Sequence, residues 1–288
     1  MTGSGAGRFA LGDLTVDRLG FGAMRLTGSR PFSAGEPSDR DTSIAMLRRA
    51  VDRGVDHVDT AAFYFSRTRS ANELINTALA PYPDDLVIVT KVGPHRGLDG
   101  SWNGKPEPAD LRGQVEENLR QLGRDHLSVV NYRTYGPGPV AEHVGALHDL
   151  VTEGLVRHVG VSNVTVEQLD EALTVGPVVC VQNRYSLDSD HSHDVLARCG
   201  ELGIAFVPFF AIAGPGREAG ATEEVDVVGE VAAEVGASPA QVRIAYTLHQ
   251  GDHVLAIPGT SNPDHLDANL DAGRVRLTDD QVRRLGQA

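Results

Sequence analysis

Leu111-Arg112-Gly113-Gln114-Val115-Glu116-Glu117-Asn118-Leu119-Arg120-Gln121-Leu122, followed after a short turn by Leu127-Ser128-Val129-Val130-Asn131-Tyr132-Arg133, decides how the chain is read. In the first run Val115, Leu119 and Leu122 return at helical spacing and give one apolar face. The second is a short β-branched run of strand length. Such helix–strand steps recur along the sequence, which is the mark of βα alternation. Strand candidates fall at 19–23, 57–61, 86–91, 127–133, 158–162, 178–183, 204–209 and 254–258. Helical spacing occupies 41–52 (Ile44, Leu47 and Val51 on one side), 71–79, 111–122, 141–152, 194–200, 223–235, 239–249 and 263–271. Caps agree with this: Thr165 stands three residues before Gln168, a capping-box spacing ahead of Leu169 and Leu173, and Ser238-Pro239 puts a cap residue before proline at the first helical position.

Eight βα units suit either an α/β (β/α)8 TIM barrel or a doubly wound sheet. The barrel is the expected fold, because no Gly-x-Gly-x-x-Gly follows the first strand and the strands are evenly spaced with no compositional break. Residues 8–18, with Phe9-Ala10-Leu11, a Gly12-Asp13 turn and Leu14–Asp17, read as a β-hairpin closing the bottom of that barrel. The chain is expected to be one barrel domain over 1–288, with 1–7 disordered and the Gly/Pro/Ser/Ala-rich stretches 28–40 and 212–222 as mobile loops.

Composition limits the partners. The 288 residues hold 26 Lys+Arg against 39 Asp+Glu, a net charge of −13. Nucleic acid and anionic membrane surfaces would have to overcome repulsion, so neither is expected as a partner. Cys180 and Cys199 lack CxxC spacing and read as reduced thiols in a cytosol. No apolar signal region opens the chain and no stretch is long enough to span a membrane, so a cytoplasmic protein is expected. His191-Ser192-His193 lacks a positioned third ligand, and no metal is expected.

Catalytic groups of a barrel project from the carboxyl ends of its strands. There the sequence places Asp59-Thr60-Ala61-Ala62-Phe63-Tyr64, Thr90-Lys91, Asn131-Tyr132-Arg133, Ser162-Asn163 and Gln182-Asn183. An aspartate and a lysine on adjacent strands would keep each other charged across a poorly hydrated mouth. An ammonium beside a phenol favours the phenolate, which makes Tyr64 a candidate proton donor to a carbonyl oxygen receiving hydride. The bland alternative is a buried ion pair beside a packed aromatic, and spacing alone does not separate the two.

The strings Leu19-Gly20-Phe21-Gly22-Ala23-Met24-Arg25-Leu26, Asp59-Thr60-Ala61 with Tyr64, Thr90-Lys91, Gly160-Val161-Ser162-Asn163, Val181-Gln182-Asn183 and Ile257-Pro258-Gly259-Thr260-Ser261 occur in that order across nearly the whole chain. Together they resemble the aldo-keto reductase superfamily. Pro81-Tyr82-Pro83-Asp84-Asp85-Leu86, Val129-Val130-Asn131 and Val207-Pro208-Phe209-Phe210 look most like its bacterial pyridoxal-reductase branch. The resemblance implies a barrel that binds NADP(H) without a Rossmann domain and moves a hydride to an aldehyde or ketone. Asp59, Tyr64 and Lys91 match three of the family's four catalytic positions.

The fourth position, normally histidine, falls on Arg133. A guanidinium donates hydrogen bonds but does not release its proton, so Arg133 would polarise or orient rather than relay. Its permanent charge would favour an anionic oxygen, or a substrate carrying phosphate or carboxylate. Pairing with a carboxylate elsewhere is the competing reading. Phe65 also departs from the family, where glycine usually follows the tyrosine, and the segment 65–71 is expected to reshape the mouth.

Cofactor positions carry over from the same resemblance. Ser162, Asn163 and Gln182 match the residues holding the nicotinamide carboxamide, Phe209 the aromatic stacked on its ring, and Ala23, Met24, Asp59 and Ile212 further cofactor-lining positions. Gly259, Thr260 and Ser261 lead into a helix whose N-terminus would take phosphate, with His265 and Asn269 at the 2′-phosphate and adenine positions. Ala268 stands where the family often has glutamate, and no basic residue marks the 2′-phosphate loop. NADPH is the expected cofactor, with NADH left open. Trp102, Met24, Phe63 and Tyr132 are the candidate substrate contacts, with Phe210 and His95 behind them. The substrate is expected to be a small-molecule carbonyl compound, pyridoxal-like or a natural-product intermediate. Two alternatives stay open, an NADP(H)-binding regulatory or scaffold protein with little turnover and a non-redox lyase or dehydratase using bound NADP(H). The oligomeric state is not legible.

Overall fold

The computed structural model describes residues 4–28, 37–97, 99–212 and 226–287. Strands β1 (Arg8–Leu11) and β2 (Leu14–Asp17) form the antiparallel hairpin around Gly12, whose φ of 67° suits glycine in a two-residue turn. Seven further strands pair in parallel and in chain order: β3 (Phe21–Gly22), β4 (His57–Asp59), β5 (Val87–Val92), β6 (Leu127–Arg133), β7 (Val156–Ser162), β8 (Cys180–Gln182) and β9 (Ala205–Phe206). Between and after them run α1 (Arg40–Asp52), α2 (Ala71–Leu79), α3 (Asp110–Leu122), α4 (Ala141–Thr152), α5 (Val166–Val175), α6 (His193–Leu202), α7 (Asp226–Val235), α8 (Pro239–His249), α9 (Pro263–Asp271) and α10 (Asp279–Gly286). Thr165 and Ser238 both build the capping boxes their spacing predicts. The helix α10 is not among the sequence expectations, although Thr278 and Gln281 build a capping box for it.

The predicted strand at 254–258 is replaced by a short seam. Val254 bridges Phe206 at one edge of the sheet and Ala256 bridges Leu19 near the other. The Leu255 amide donates to the Phe206 carbonyl at 2.9 Å and the Ala256 amide to the Arg18 carbonyl at 2.8 Å, so the sheet curls and its edges meet. Pro258 has no amide hydrogen with which to extend this pairing. Beyond it the backbones crowd: a Cβ on Gly22 would lie 2.6 Å from the Ile257 carbonyl oxygen, and one on Gly259 2.5 Å from that of Gly22. The predicted strand 19–23 shrinks for the same reason, and Ala23 opens a 3-10 helix, Ala23–Thr27.

Strand alternation sorts the core into two layers. Val87, Val89, Val129, Cys180, Ala205, Val207 and Leu255 point inward and pack with Leu11 and Val16 of the hairpin, which lies at the amino ends of the strands. Ile88, Val130, Tyr132, Val161 and Phe206 point outward against Leu111, Val115, Leu147 and other helix residues. Residues 4–7 depart from the expected disorder. Ser4 donates its amide to Asp17 at 3.0 Å, Arg18 donates to the Ala6 carbonyl at 3.1 Å, and Arg276 to that of Gly5 at 2.7 Å. Residues 1–3, most of the predicted loops (29–36 and 213–222) and the first turn of the predicted helix 223–235 lie outside the described residues.

Candidate active site

Alternation places Asp59, Lys91, Asn131, Arg133, Ser162 and Gln182 on the inward face at or near the carboxyl ends of β4 to β8. Register aligns them across the sheet, with Lys91 opposite Asn131, Arg133 opposite Ser162, and Ser162 opposite Gln182. The Lys91 ammonium donates to both Asp59 carboxylate oxygens, at 2.6 and 2.7 Å, and to the Thr60 carbonyl at 3.0 Å. Gln182 Nε2 donates to the same carboxylate at 2.8 Å. Lys91 Nζ also lies 4.9 Å from the centre of the Tyr64 ring. Burial disfavours an ammonium here, but Asp59 and the hydrogen-bonding Tyr64 phenol outweigh it and hold Lys91 above the ordinary lysine value. The three residues expected to act together are thus in contact.

A polar layer that the sequence reading missed supports them from behind. Thr60 Oγ1 donates to Asn72 Oδ1 at 2.7 Å, Asn72 Nδ2 to Asn118 Oδ1 at 2.9 Å, and Thr90 Oγ1 to the same Asn118 oxygen at 2.6 Å. Asn118 Nδ2 closes the chain on the Gln114 carbonyl at 2.8 Å. All four side chains are fully buried, and they tie α2 and α3 to the residues adjoining Asp59 and Lys91. The signal was present as polar residues on otherwise apolar helix faces. Arg96 is a second supporter, donating to the Phe63 and Phe65 carbonyls and lying 4.3 Å from the centre of the Phe65 ring. The unexpected Phe65 therefore holds the arginine that braces the Tyr64 loop.

Arg133 reaches the mouth half-buried, its guanidinium carbon 5.8 Å from the centre of the Phe209 ring. Among the described residues it forms no ion pair with a carboxylate. Tyr132, expected to touch substrate, is turned away: it faces outward on β6, is buried, and stacks on His143 of α4 with centroids 4.6 Å apart. Burial pushes its phenol up to about 12. Of the other substrate candidates, Phe63 packs edge-on against both Tyr64, at 5.2 Å, and the half-exposed Trp102, at 5.8 Å. Met24 is partly buried against the core, and His95 is exposed.

Groups suited to a nicotinamide are present beside the ion pair. Ser162 Oγ and Gln182 Oε1 are buried with no hydrogen-bond partner among the described residues, a costly state that a carboxamide would relieve. Asn163 adopts φ 59°. Asn183 is spoken for, donating to the Val164 carbonyl at 2.7 Å. Phe209 stands at the mouth with Ile212 buried beyond it, and Ala23 is buried at the end of β3. At α9, Asn262 caps the Asp264 amide and Thr260 Oγ1 accepts from the Asn262 amide at 3.0 Å. Ser261 and His265 are exposed there, next to Gly259, while Asn269 is buried with Nδ2 unpartnered among the described residues. These residues fit the group that the resemblance implies.

The family model described as "Aldo/keto reductase family" matches residues 18–288. Pyridoxine 4-dehydrogenase of Escherichia coli K12 is 40% identical over 284 residues, which cover 96% of each chain. Among solved structures, the thermostable aldo-keto reductase Tm1743, in complex with the inhibitor epalrestat, superposes with a TM-score of 0.82 at 26% identity, over 97% of this chain and 98% of its own. An aldo-keto reductase from Klebsiella pneumoniae in complex with NADPH gives 0.77 at 27% identity, over 95% and 91%. Shared sequence over nearly the full length, a parallel curled sheet and the Asp59–Lys91–Tyr64 cluster converge: the chain belongs to the aldo/keto reductase family and is an oxidoreductase of that type.

Proposed function

We propose that the protein is an NADPH-dependent reductase of a small aldehyde or ketone, with Tyr64 as general acid. The contact of Tyr64 with a lysine that is itself locked to Asp59 carries this reading. NADPH, when bound, supplies the hydride. Ser162, Asn163 and Gln182 would hold its carboxamide, Phe209 would pack against its ring, and Ala23, Met24 and Ile212 would line its path. Gly259, Thr260 and Ser261 with His265 and Asn269 would take the phosphate and adenine end. Tyr64 gives its proton to the reacting oxygen, Lys91 stabilises the resulting phenolate, and Asp59 keeps Lys91 charged and placed. Arg133 donates a hydrogen bond to that oxygen without releasing a proton. Phe63, Met24 and Trp102 form the apolar wall that turns the carbonyl toward Tyr64.

The fold reading that goes with this is a closed (β/α)8 barrel with the seam at 254–256 as its eighth member, the hairpin across its bottom and one catalytic domain over 1–288. The two buried thiols suit a reducing cytosol. A scaffold without turnover would have no chemical need for Asp59, Lys91 and Tyr64 in contact. Because the Escherichia coli relative is named for pyridoxine, pyridoxal heads the panel of aldehydes and ketones to be scored by loss of NADPH absorbance. At least one is expected to be turned over with saturation kinetics. Binding of NADPH with no consumption on any of them would sink the reductase reading.

A further inference from the structure

The loop that follows β5 folds back on itself as a small hairpin. Arg96 and Trp102 bridge as antiparallel partners, and the Gly97 amide donates to the Ser101 carbonyl and the Asn103 amide to the His95 carbonyl, both at 2.8 Å. Gly100, at φ 88°, lies in the turn, its amide donating to the Gly97 carbonyl at 2.8 Å. At the root, Gln114 of α3 holds both backbone groups of Gly93. Its Oε1 accepts from the Gly93 amide at 2.6 Å and its Nε2 donates to the Gly93 carbonyl at 3.0 Å.

The Tyr64 loop has an anchor of its own at the start of α2. The Ala71 amide donates to the Tyr64 carbonyl at 2.9 Å, Phe65 bridges Ser70, and the Ser66 amide donates to the Arg69 carbonyl at 2.8 Å. Its other support is the hairpin, through two links. Arg96 is 7% exposed, and its Nη1 donates to the carbonyls of Phe63, at 3.4 Å, and of Phe65, the residues on either side of Tyr64. Trp102, the cross-strand partner of Arg96, packs edge-on against Phe63 at 5.8 Å, and Phe63 packs against Tyr64 at 5.2 Å. The backbone grip and the aromatic contacts close a circuit: from Arg96 to the Tyr64 loop, through Phe63 to Trp102, and back along the hairpin.

We infer that Arg96 is a positioning residue that couples substrate contact at Trp102 to the placement of the Tyr64 phenol; the inference rests on the reductase reading above and adds a determinant of specificity to it. A guanidinium is a flat fork with donors at fixed angles, so the carbonyls that share it do not shift independently. A substrate long enough to lie on Trp102 restricts the hairpin. Through Arg96 that restriction narrows the orientations open to Tyr64, favouring the one that donates to the carbonyl oxygen. A wall that only binds lowers KM, whereas a wall tied to the proton donor raises the rate at saturation. The favoured substrates are therefore carbonyl compounds with a second aromatic ring beyond the one that bears the reacting carbon. Phe65 gains a purpose as well, since its ring supports the guanidinium at 4.3 Å.

Two measurements test this, one of them independent of turnover. Trp102 is the one tryptophan of the chain, so acrylamide quenching of intrinsic fluorescence reads it alone. Arg96→Met should raise the quenching constant about twofold or more, with Arg96→Lys between it and the parent because lysine keeps the charge but not the fork. In parallel, single-turnover rates at saturating aldehyde are measured for benzaldehyde and biphenyl-4-carbaldehyde in the parent, Arg96→Met, Trp102→Ala and the double variant. The parent should reduce the biphenyl compound about tenfold faster. Each single variant should lose that advantage, and the double variant should lose no more than either, the non-additivity expected of coupled residues. Should Arg96→Met not fold, Phe65→Leu, which removes only the ring beneath the guanidinium, carries both measurements. Parental quenching in Arg96→Met, no preference in the parent, or a biphenyl preference that survives Arg96→Met overturns the inference. If no aldehyde is reduced, the reductase reading fails, and the quenching still decides whether Arg96 ties Trp102 to the Tyr64 loop.

Discussion

At the residue scale, the proton donor and its neighbour at position 133 carry separable roles. Tyr64→Phe removes the hydroxyl that contacts Lys91 while leaving Ser162, Gln182 and Asp59 in place. Turnover should drop at least ~100-fold, the low end for acid–base catalysis, with NADPH affinity kept. Cofactor fluorescence and single-turnover rates separate the two, and undiminished turnover would take Tyr64 out of the mechanism. For Arg133, loss of a donor to a developing oxyanion costs roughly 2–4 kcal/mol, so Arg133→Ala should lower kcat/KM by about the corresponding 30- to 1,000-fold. Arg133→His should retain reduction and acquire a rate that varies with pH near the imidazole range, because histidine can titrate there and arginine cannot. An Arg133→Ala enzyme as fast as the parent would make Arg133 structural. Spacing put Asp59, Lys91 and Arg133 at strand ends and Tyr64 in the loop after β4, but it was the family resemblance that singled these four out as candidates. The sequence reading misjudged Tyr132 by overlooking parity: if Asn131 and Arg133 face inward, the residue between them faces the helices.

At the element scale, the determining feature is the polar layer behind the ion pair. Asn118 of α3 accepts from both Thr90 and Asn72, and Asn72 accepts from Thr60. Thr60 in turn lends its carbonyl to Lys91. Asn118→Leu keeps the volume but strands two buried donors, at about 1–3 kcal/mol each. The variant should melt several degrees lower and lose kcat more than it gains KM, since what changes is the placement of Lys91 rather than the substrate wall. A lower melting temperature with parental kcat would confine the network to stability. Periodicity could not reveal this layer, because an asparagine on an apolar helix face looks like a fault until its partners on two neighbouring elements are known. The closing seam escaped for the opposite reason. Val254, Leu255 and Ala256 read as a full strand, yet Pro258 and the crowding of Gly22 against Gly259 leave only isolated bridges.

At the scale of the whole molecule, the barrel closure proposed above would control access to the interior of the sheet. Cys180 faces inward from β8 and donates to Asn131 Oδ1 at 3.2 Å, whereas Cys199 belongs to α6 and sits on its buried face. Burial pushes both thiols up to about 12. A helix can lift locally, but Cys180 cannot meet solvent unless the seam at 254–256 or the hairpin plug gives way, so the two thiols should report different openings. With mass-resolved thiol labelling near pH 8, neither should react at an appreciable rate in the native protein, since the thiolate is the nucleophile. With rising denaturant, Cys180 should label with the free energy and slope of global unfolding, and Cys199 at equal or lower cost. The pH dependence has a definite sign. The folded chain keeps thiol protons that the unfolded chain releases above its ordinary value of roughly 8.5. Stability from this source is therefore complete below that value and declines as pH rises toward about 12. Prompt labelling of Cys180 without denaturant would mean that the sheet opens in the native state, and the closed barrel would have to be abandoned.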